Sequence, residues 1–286
     1  MIEVNGLCKQ LPNGKTLLDD INFSVKPGEF VGILGGSGAG KSLTLRCVMG
    51  LVNPTKGDIV FEKKGRDGSC ESMSVQSLGK KGLRELRREM GVIFQGGNLV
   101  KRLTALENVM IGRLGQISPL RSWLYGFTDK EAEEAYKVLQ SMKMEEYAGR
   151  RVGNLSGGEQ QRVAIARAIF QKPSVYLADE PVSSLDPKNA RKVMKLLKPL
   201  SKDKPVIGVF HQPHLTAEFC SRVIAIKSGK VVYDGDPDLP ASTLAMIYEG
   251  ELEDVARGEA VAETAGVSSN GEVGISQSFG TQGAAS

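Results

Sequence analysis

The chain has 286 residues, 41% of them hydrophobic and 24% charged, which is ample for a globular core. Its net charge is +4, divided between a basic body (+9 over residues 1–250) and an acidic end (−5 over residues 251–286). No run of about 18 apolar residues is present, residues 1–6 lack a basic stretch followed by an apolar one, and Cys8, Cys47, Cys70 and Cys220 form no C-x-x-C pair. A bilayer span, a secretory signal, a zinc site and a disulfide framework are therefore not expected, and the thiols read as reduced and cytosolic. Two histidines, His211 and His214, exclude a multi-histidine metal centre. A basic body suits nucleic acid, anionic lipid or nucleotide phosphates, but here the bases are dispersed among acids, as on a solvated surface.

In chain order, residues 2–4 and 21–25 read as short strands with a turn at Pro12-Asn13-Gly14 between them. Residues 30–34 are a continuous apolar run ending in glycines, which suits a buried parallel strand, and residues 41–49 then read as a helix. Residues 83–88 predict a basic-faced helix and 92–94 a short strand. Residues 104–149 predict mainly helices with polar faces, a helical subdomain. Val163, Ala166, Ile169 and Phe170 fall at helical spacing within 159–170. Residues 175–178 and 206–210 read as further buried strands, and 223–226 with 231–233 as a hairpin around Ser228-Gly229. From Gly250 the composition shifts to Gly, Ser, Ala, Glu and Gln, which buries too little apolar surface to offset ordering entropy; residues 250–286 are expected to be a disordered tail. No internal repeat is visible.

Gly35-Gly36-Ser37-Gly38-Ala39-Gly40-Lys41-Ser42 fits G-x-x-x-x-G-K-[ST] at every fixed position, between a buried strand and a helix. The glycines let backbone N–H groups turn toward phosphate oxygens with no Cβ in the way. Lys41 supplies a point charge to the β- and γ-phosphates, the Ser42 hydroxyl is suited to ligate Mg²⁺, and the helix adds its positive dipole end. A dinucleotide fingerprint is excluded, because counting G-x-G-x-x-G from Gly36 puts Lys41 at the last glycine position. Val175-Tyr176-Leu177-Ala178-Asp179-Glu180 is an apolar strand ending in two acids. Asp179 is placed to hold the Mg²⁺ hydration shell and Glu180 to orient or deprotonate a water; the plainer reading is an acidic cap where a strand meets solvent. In Leu155-Ser156-Gly157-Gly158-Glu159-Gln160, Ser156 and Glu159 have the spacing of a capping box. The two glycines also leave N–H groups exposed at a helix N-terminus, which is an anion site. In a monomer nothing need fill it; with two chains head to tail, it closes over the γ-phosphate bound to the other.

The sequence resembles the nucleotide-binding subunits of ABC transporters over about residues 2–248, on six motifs in the family order. These are residues 35–42 (Walker A), Gln95 after Val92-Ile93-Phe94 (Q-loop), 155–160 (signature), 175–180 (Walker B), Ser183-Ser184-Leu185-Asp186 (D-loop) and His211 after an apolar strand (switch histidine). The resemblance implies an α/β P-loop NTPase fold with a RecA-like parallel-sheet core, an antiparallel β subdomain and a helical subdomain. It sets the ATPase domain at residues 1–249, with the helical subdomain inserted at about 97–165. It implies ATP and Mg²⁺ as cofactors, and Glu180, His211, Gln95 and Lys41 as catalytic residues. Nucleotide contacts would come from the run Gly35, Gly36, Ser37, Gly38, Ala39, Gly40, Lys41, Ser42 and Leu43. Ser156, Gly157, Gly158, Glu159 and Asp186 would add contacts across an interface, and Ser42, Gln95 and Asp179 would hold the metal. Without the family, Gln95 is a surface polar residue, His211 a satisfied histidine at a strand end, and Asp186 the start of a turn at Pro187. His214 matches no motif. Family members often place an aromatic residue just before the first turn to stack on adenine; Leu11 stands there, with apolar contact but no π-face, so weaker adenine binding is expected.

Three segments are similar to the ATPase subunits of phosphonate importers: Asn98-Leu99-Val100-Lys101-Arg102-Leu103-Thr104, Glu107-Asn108-Val109-Met110-Ile111-Gly112, and Arg121-Ser122-Trp123-Leu124-Tyr125-Gly126-Phe127. Val231-Val232-Tyr233-Asp234-Gly235 agrees with them. That family also serves phosphite and related phosphorus oxyanions. The implied partners are a second copy of the chain in an ATP-sandwich homodimer, transmembrane permease subunits and, indirectly, a periplasmic substrate-binding protein, with no nucleic acid. The implied location is peripheral, at the cytoplasmic face of the inner membrane. Trp123, Tyr125 and Phe127 either meet a permease helix or pack the subdomain's own core. The alternatives are the ATPase subunit of a phosphate, amino-acid or lipoprotein-release system, or a non-transport ABC ATPase; the chain carries neither a second cassette nor a long coiled-coil insert.

Overall fold

The computed structural model describes residues 1–64, 70–117 and 126–248. The central sheet has the order β10-β9-β3-β8-β7-β6. It is built from β3 (Phe30–Leu34), β6 (Met90–Ile93), β7 (Val175–Asp179), β8 (Val206–Val209), β9 (Arg222–Lys227) and β10 (Lys230–Gly235). All neighbours are parallel except β10, which returns antiparallel along β9. Over β3, β7, β8 and the middle of β9 both faces are covered, which is why these strands read as unbroken apolar runs, while β10 at the edge holds no buried residue. Val31, Ile33, Val175, Leu177, Ile207 and Val209 face one core, while Phe30, Leu34, Tyr176, Ala178 and Val206 face the other.

The first core is closed by α1 (Lys41–Val48) and by an antiparallel sheet of order β2-β1-β4-β5. Its strands are β1 (Ile2–Gln10), β2 (Thr16–Val25), β4 (Lys56–Lys64) and β5 (Cys70–Ser74). β1 and β2 run well beyond the spans expected from the sequence. Their pairing shifts register between Val4 and Leu7 and again before Lys9, so the alternation that marks a strand is interrupted although the strand continues.

The second core is closed by α5 (Gly157–Phe170), α6 (Pro187–Leu197) and α7 (Pro213–Phe219). α2 (Lys80–Arg88) buries only Leu86 fully and carries Lys80, Lys81, Arg84, Arg87 and Arg88. α3 (Ala105–Met110) and α4 (Asp129–Ser141) each open on a capping box, Thr104 with Glu107 and Thr128 with Glu131. Ala105, Val109, Ala135 and Leu139 from these helices pack with Val152, Leu155 and Val163. The Arg113 guanidinium grips the Glu134 carboxylate of α4 with two bonds, of 2.6 and 3.0 Å, and lies 3.8 Å over the Phe170 ring at the end of α5. Lys172 pairs with the same carboxylate. Trp123 and Tyr125 of the aromatic insert, and the tail at 250–286, lie outside the described residues; Phe127 is half-buried.

Candidate active site

β3 ends at Leu34 and α1 begins at Lys41, so residues 35–40 form the turn between them. Two positions there accept only glycine. A Cβ on Gly35 would stand 2.2 Å from the Ile226 carbonyl oxygen, and one on Gly40, at φ +106°, would stand 2.6 Å from Leu18 Cδ2. No side chain caps α1, so its first N–H groups are left for an anion. Lys41 is 4% exposed, and its Nζ donates to the carbonyls of Gly35 (2.8 Å) and Gly36 (2.7 Å), lying along the inside of the loop.

Strand order carries the remaining groups to the same place. β8 lies between β3 and β7, so residues following β7 and β8 emerge beside the loop. Asp179, at the end of β7 and 9% exposed, accepts a 2.9 Å bond from Ser42 Oγ. Glu180 follows in the left-handed conformation (φ +49°), a costly one for a residue with a Cβ. The turn brings its Oε1 within 2.8 Å of His211 Nε2. Gln95, just past β6, donates from Nε2 to Ser183 Oγ (3.1 Å), and Ser183 Oγ donates to the Glu180 carbonyl (3.2 Å). A cavity of about 270 Å³ opens here, lined by residues 37–43, Glu180, His211 and Leu17.

Leu11 is not part of that lining. It is half-buried in the turn after β1, where its N–H donates to Lys15 O and its carbonyl accepts from Gly14 N–H. Leu17, early in β2, takes an apolar place in the cavity wall. The sequence offered no signal for it, since it is one of many apolar strand residues. The bridging role of Ser183 was equally hidden inside a motif read for Asp186.

Residues 156–159 also lie away from that cavity. Ser156 is the N-cap of α5, and the box is complete: Glu159 Oε2 accepts from the Ser156 N–H (2.7 Å) and hydroxyl (2.8 Å), and Ser156 Oγ accepts from the Glu159 N–H (3.4 Å). Burial pushes the Glu159 carboxyl up, but bonds from Ser156 and Tyr147 and the charge of Arg150 outweigh it and hold it below the usual value. Ser156, Gly158 and Glu159 line a separate cavity of about 470 Å³ with Tyr147, Arg162 and Asn189. Asp186 caps α6, accepting from the N–H groups of Lys188 and Asn189 (both 3.1 Å) and from Asn189 Nδ2 (2.6 Å). It thereby holds Asn189 against the second cavity. One chain thus holds the cavity at residues 37–43 and the cavity at the Ser156 turn apart from each other.

The residues fit Mg²⁺. The Ser42 hydroxyl and the Asp179 carboxylate are hard oxygen donors that already meet at 2.9 Å. Among the described residues no group of three or more His, Cys, Asp and Glu side chains forms a metal cluster. A sparse oxygen set of this kind suits an ion that takes most of its ligands from water and phosphate.

Residues 18–183 match the family model described as ABC transporter. This chain belongs to the ABC transporter family. Its fold is the P-loop cassette of that family, a nucleotide-binding fold. The "Phosphonates import ATP-binding protein PhnC" of Treponema denticola is 40% identical over 240 residues, covering 83% of this chain and 90% of the relative. That of Lactobacillus delbrueckii subsp. bulgaricus is 43% identical over 253 residues, covering 87% and 95%. The dimeric post-hydrolysis structure of the ATP-binding cassette MJ0796, bound to ADP and Pi, superposes with a TM-score of 0.68 at 32% identity, covering 84% of this chain and all of that one. Among the described residues no helix is long and apolar enough to cross a membrane.

Proposed function

We propose that this chain is the ATP-hydrolysing subunit of an ABC importer for phosphonates or related phosphorus oxyanions, acting as a homodimer docked on permease subunits at the cytoplasmic face of the membrane. What carries the reading is similarity of 40–43% along 90–95% of the length of relatives named for phosphonate import.

In the proposed cycle, each ATP lies between residues 35–42 of one chain and 156–159 of the other. The loop N–H groups and Lys41 hold the β- and γ-phosphates and oppose the charge that develops on transfer. Glu180 orients the attacking water and accepts its proton, and His211, bonded to Glu180, faces the γ-phosphate from the same side. Leu17, in the cavity wall, offers apolar surface to the base. Ser42, Asp179 and Gln95 would hold Mg²⁺, which when bound neutralises phosphate charge and orders the β- and γ-oxygens. The N–H groups of Gly157 and Gly158 complete the site only when the partner closes, so closure and hydrolysis alternate and move the docked permease.

The test is reconstitution with the permease and its periplasmic binding protein. Methylphosphonate or phosphite loaded on the binding protein is expected to raise ATP hydrolysis several-fold over the unloaded protein. Stimulation by inorganic phosphate alone, or by none of the three, would contradict the proposed cargo.

A further inference from the structure

The two ends of α5 have different duties. Its first turn is Ser156-Gly157-Gly158-Glu159, and from its last turn Arg167 reaches the loop that carries Gln95. Arg167 Nη1 donates to Asn98 O (2.9 Å) and Nη2 to Gly97 O (2.8 Å). A planar guanidinium can hold two adjacent carbonyls at once; an ammonium cannot hold them in that fixed fork.

The loop needs such support. Gly96, Gly97 and Asn98 are all left-handed, with φ of 65°, 74° and 46°, so no regular helix or strand continues through them. Its packing on α5 is close, since a Cβ on Gly97 would stand 3.3 Å from Ala164 Cβ. Arg167 is itself confined from the other side. The chain after α3 crosses it at Gly112, where a Cβ would stand 2.6 Å from Arg167 O and 3.1 Å from Arg167 Cγ. Burial lowers the Arg167 pKa, yet a guanidinium remains a cation at any working pH. At the near end of the same loop, Gln95 reaches Ser183, which is bonded to the Glu180 carbonyl.

We propose that Arg167 is a positioning residue for ATP hydrolysis: it ties residues 97–98 to the signature helix and so sets Gln95 beside the Glu180 turn. The inference rests on the ATPase reading of Gln95 given above. It adds a mechanical link. α5 is a continuous helix of 14 residues, about 21 Å long, so a shift of its Ser156 end on meeting the partner's nucleotide carries through Arg167 to Gln95 in the same chain.

The test is a double-mutant cycle on the full chain, reading kcat and KM for ATP with Mg²⁺ present, and Tm by thermal melting. Arg167→Ala is expected to lower kcat about tenfold, the order expected for losing charged hydrogen bonds, with KM changed less than about twofold. Gln95→Ala should lower kcat comparably, and the double variant should fall no further than the worse single one. Arg167→Lys should recover only part of the loss. Gly97→Ala, which lifts the same loop with Arg167 intact, should reproduce it. Should Arg167→Ala fail to fold, Arg167→Lys and Gly97→Ala, each combined with Gln95→Ala, carry the same comparison. Wild-type kcat in a folded Arg167 variant, or losses that multiply in the double variant, would overturn the proposal. A wild-type chain without Mg²⁺-dependent ATPase activity would overturn the proposed function, and this inference with it.

Discussion

Glu180 is held in place by two constraints that oppose relaxation. Its backbone stands at φ +49° and its carboxylate is bonded to His211 at 2.8 Å. Backbone strain of this kind persists when the surroundings over-determine it, and it is concentrated at working sites. Glu180→Gln preserves shape while removing the proposed proton acceptor. ATP binding measured by titration should be retained, and kcat should fall by a factor of about 100 or more; near-normal hydrolysis would reject the assigned role. At the base-binding end, Leu11→Tyr should lower the Kd for ATP several-fold if position 11 reaches the adenine, since aromatic stacking adds about 0.5–1.5 kcal/mol. An unchanged Kd would leave Leu17, already in the cavity wall, as the apolar contact.

Among the described elements, three helices open on the same S/T-x-x-E box, which separates capping from function. Thr104→Ala at α3 and Ser156→Ala at α5 should each cost about 1 kcal/mol of stability in denaturant unfolding. Only Ser156→Ala should also depress ATPase activity; equal activity in both variants would reduce Ser156 to a plain cap. The junction of α4 with α5 gives a pH signature. The Glu134 carboxyl is held down at about 2, against 4.5 normally, by hydrogen bonds from Arg113 and Lys172 that outweigh its burial. Because the folded-state pKa is depressed, its contribution is fully present above about 4.5 and lost as pH falls toward 2. Glu134→Gln should therefore lower the urea midpoint near neutrality and flatten its fall across that window.

Legibility followed local physics. β3 and β7 were readable because burial on both faces makes them unbroken apolar runs, and each motif residue sits at the end of such a run. β4 and β5 were not anticipated. In Lys56–Lys64 the buried Ile59 and Phe61 are surrounded by Gly57, Asp58 and lysines, which resembles a loop. α6 and α7 escaped notice because both start at a proline that reads first as a turn. The Arg113–Glu134 and Arg167–Gly97 links join residues 21 and 70 positions apart and leave no trace in any short pattern.

For the whole molecule, the decisive fact is a separation. One cavity is lined by residues 37–43, Glu180 and His211, while Ser156, Gly158 and Glu159 line another. Cassettes of this family have been seen as dimers, including the post-hydrolysis MJ0796 structure that superposes on this chain. Two chains head to tail would bring each Ser156 turn to the other's bound phosphates and would bury both α5 N-termini against negative charge. We propose that catalysis belongs to the pair. The most direct test is ATP turnover per chain over a wide range of protein concentration, with molecular mass followed in parallel by sedimentation. Turnover per chain should climb with concentration and level off where ATP-bound dimer predominates; full turnover by a strictly monomeric protein, constant at every dilution, would contradict the account.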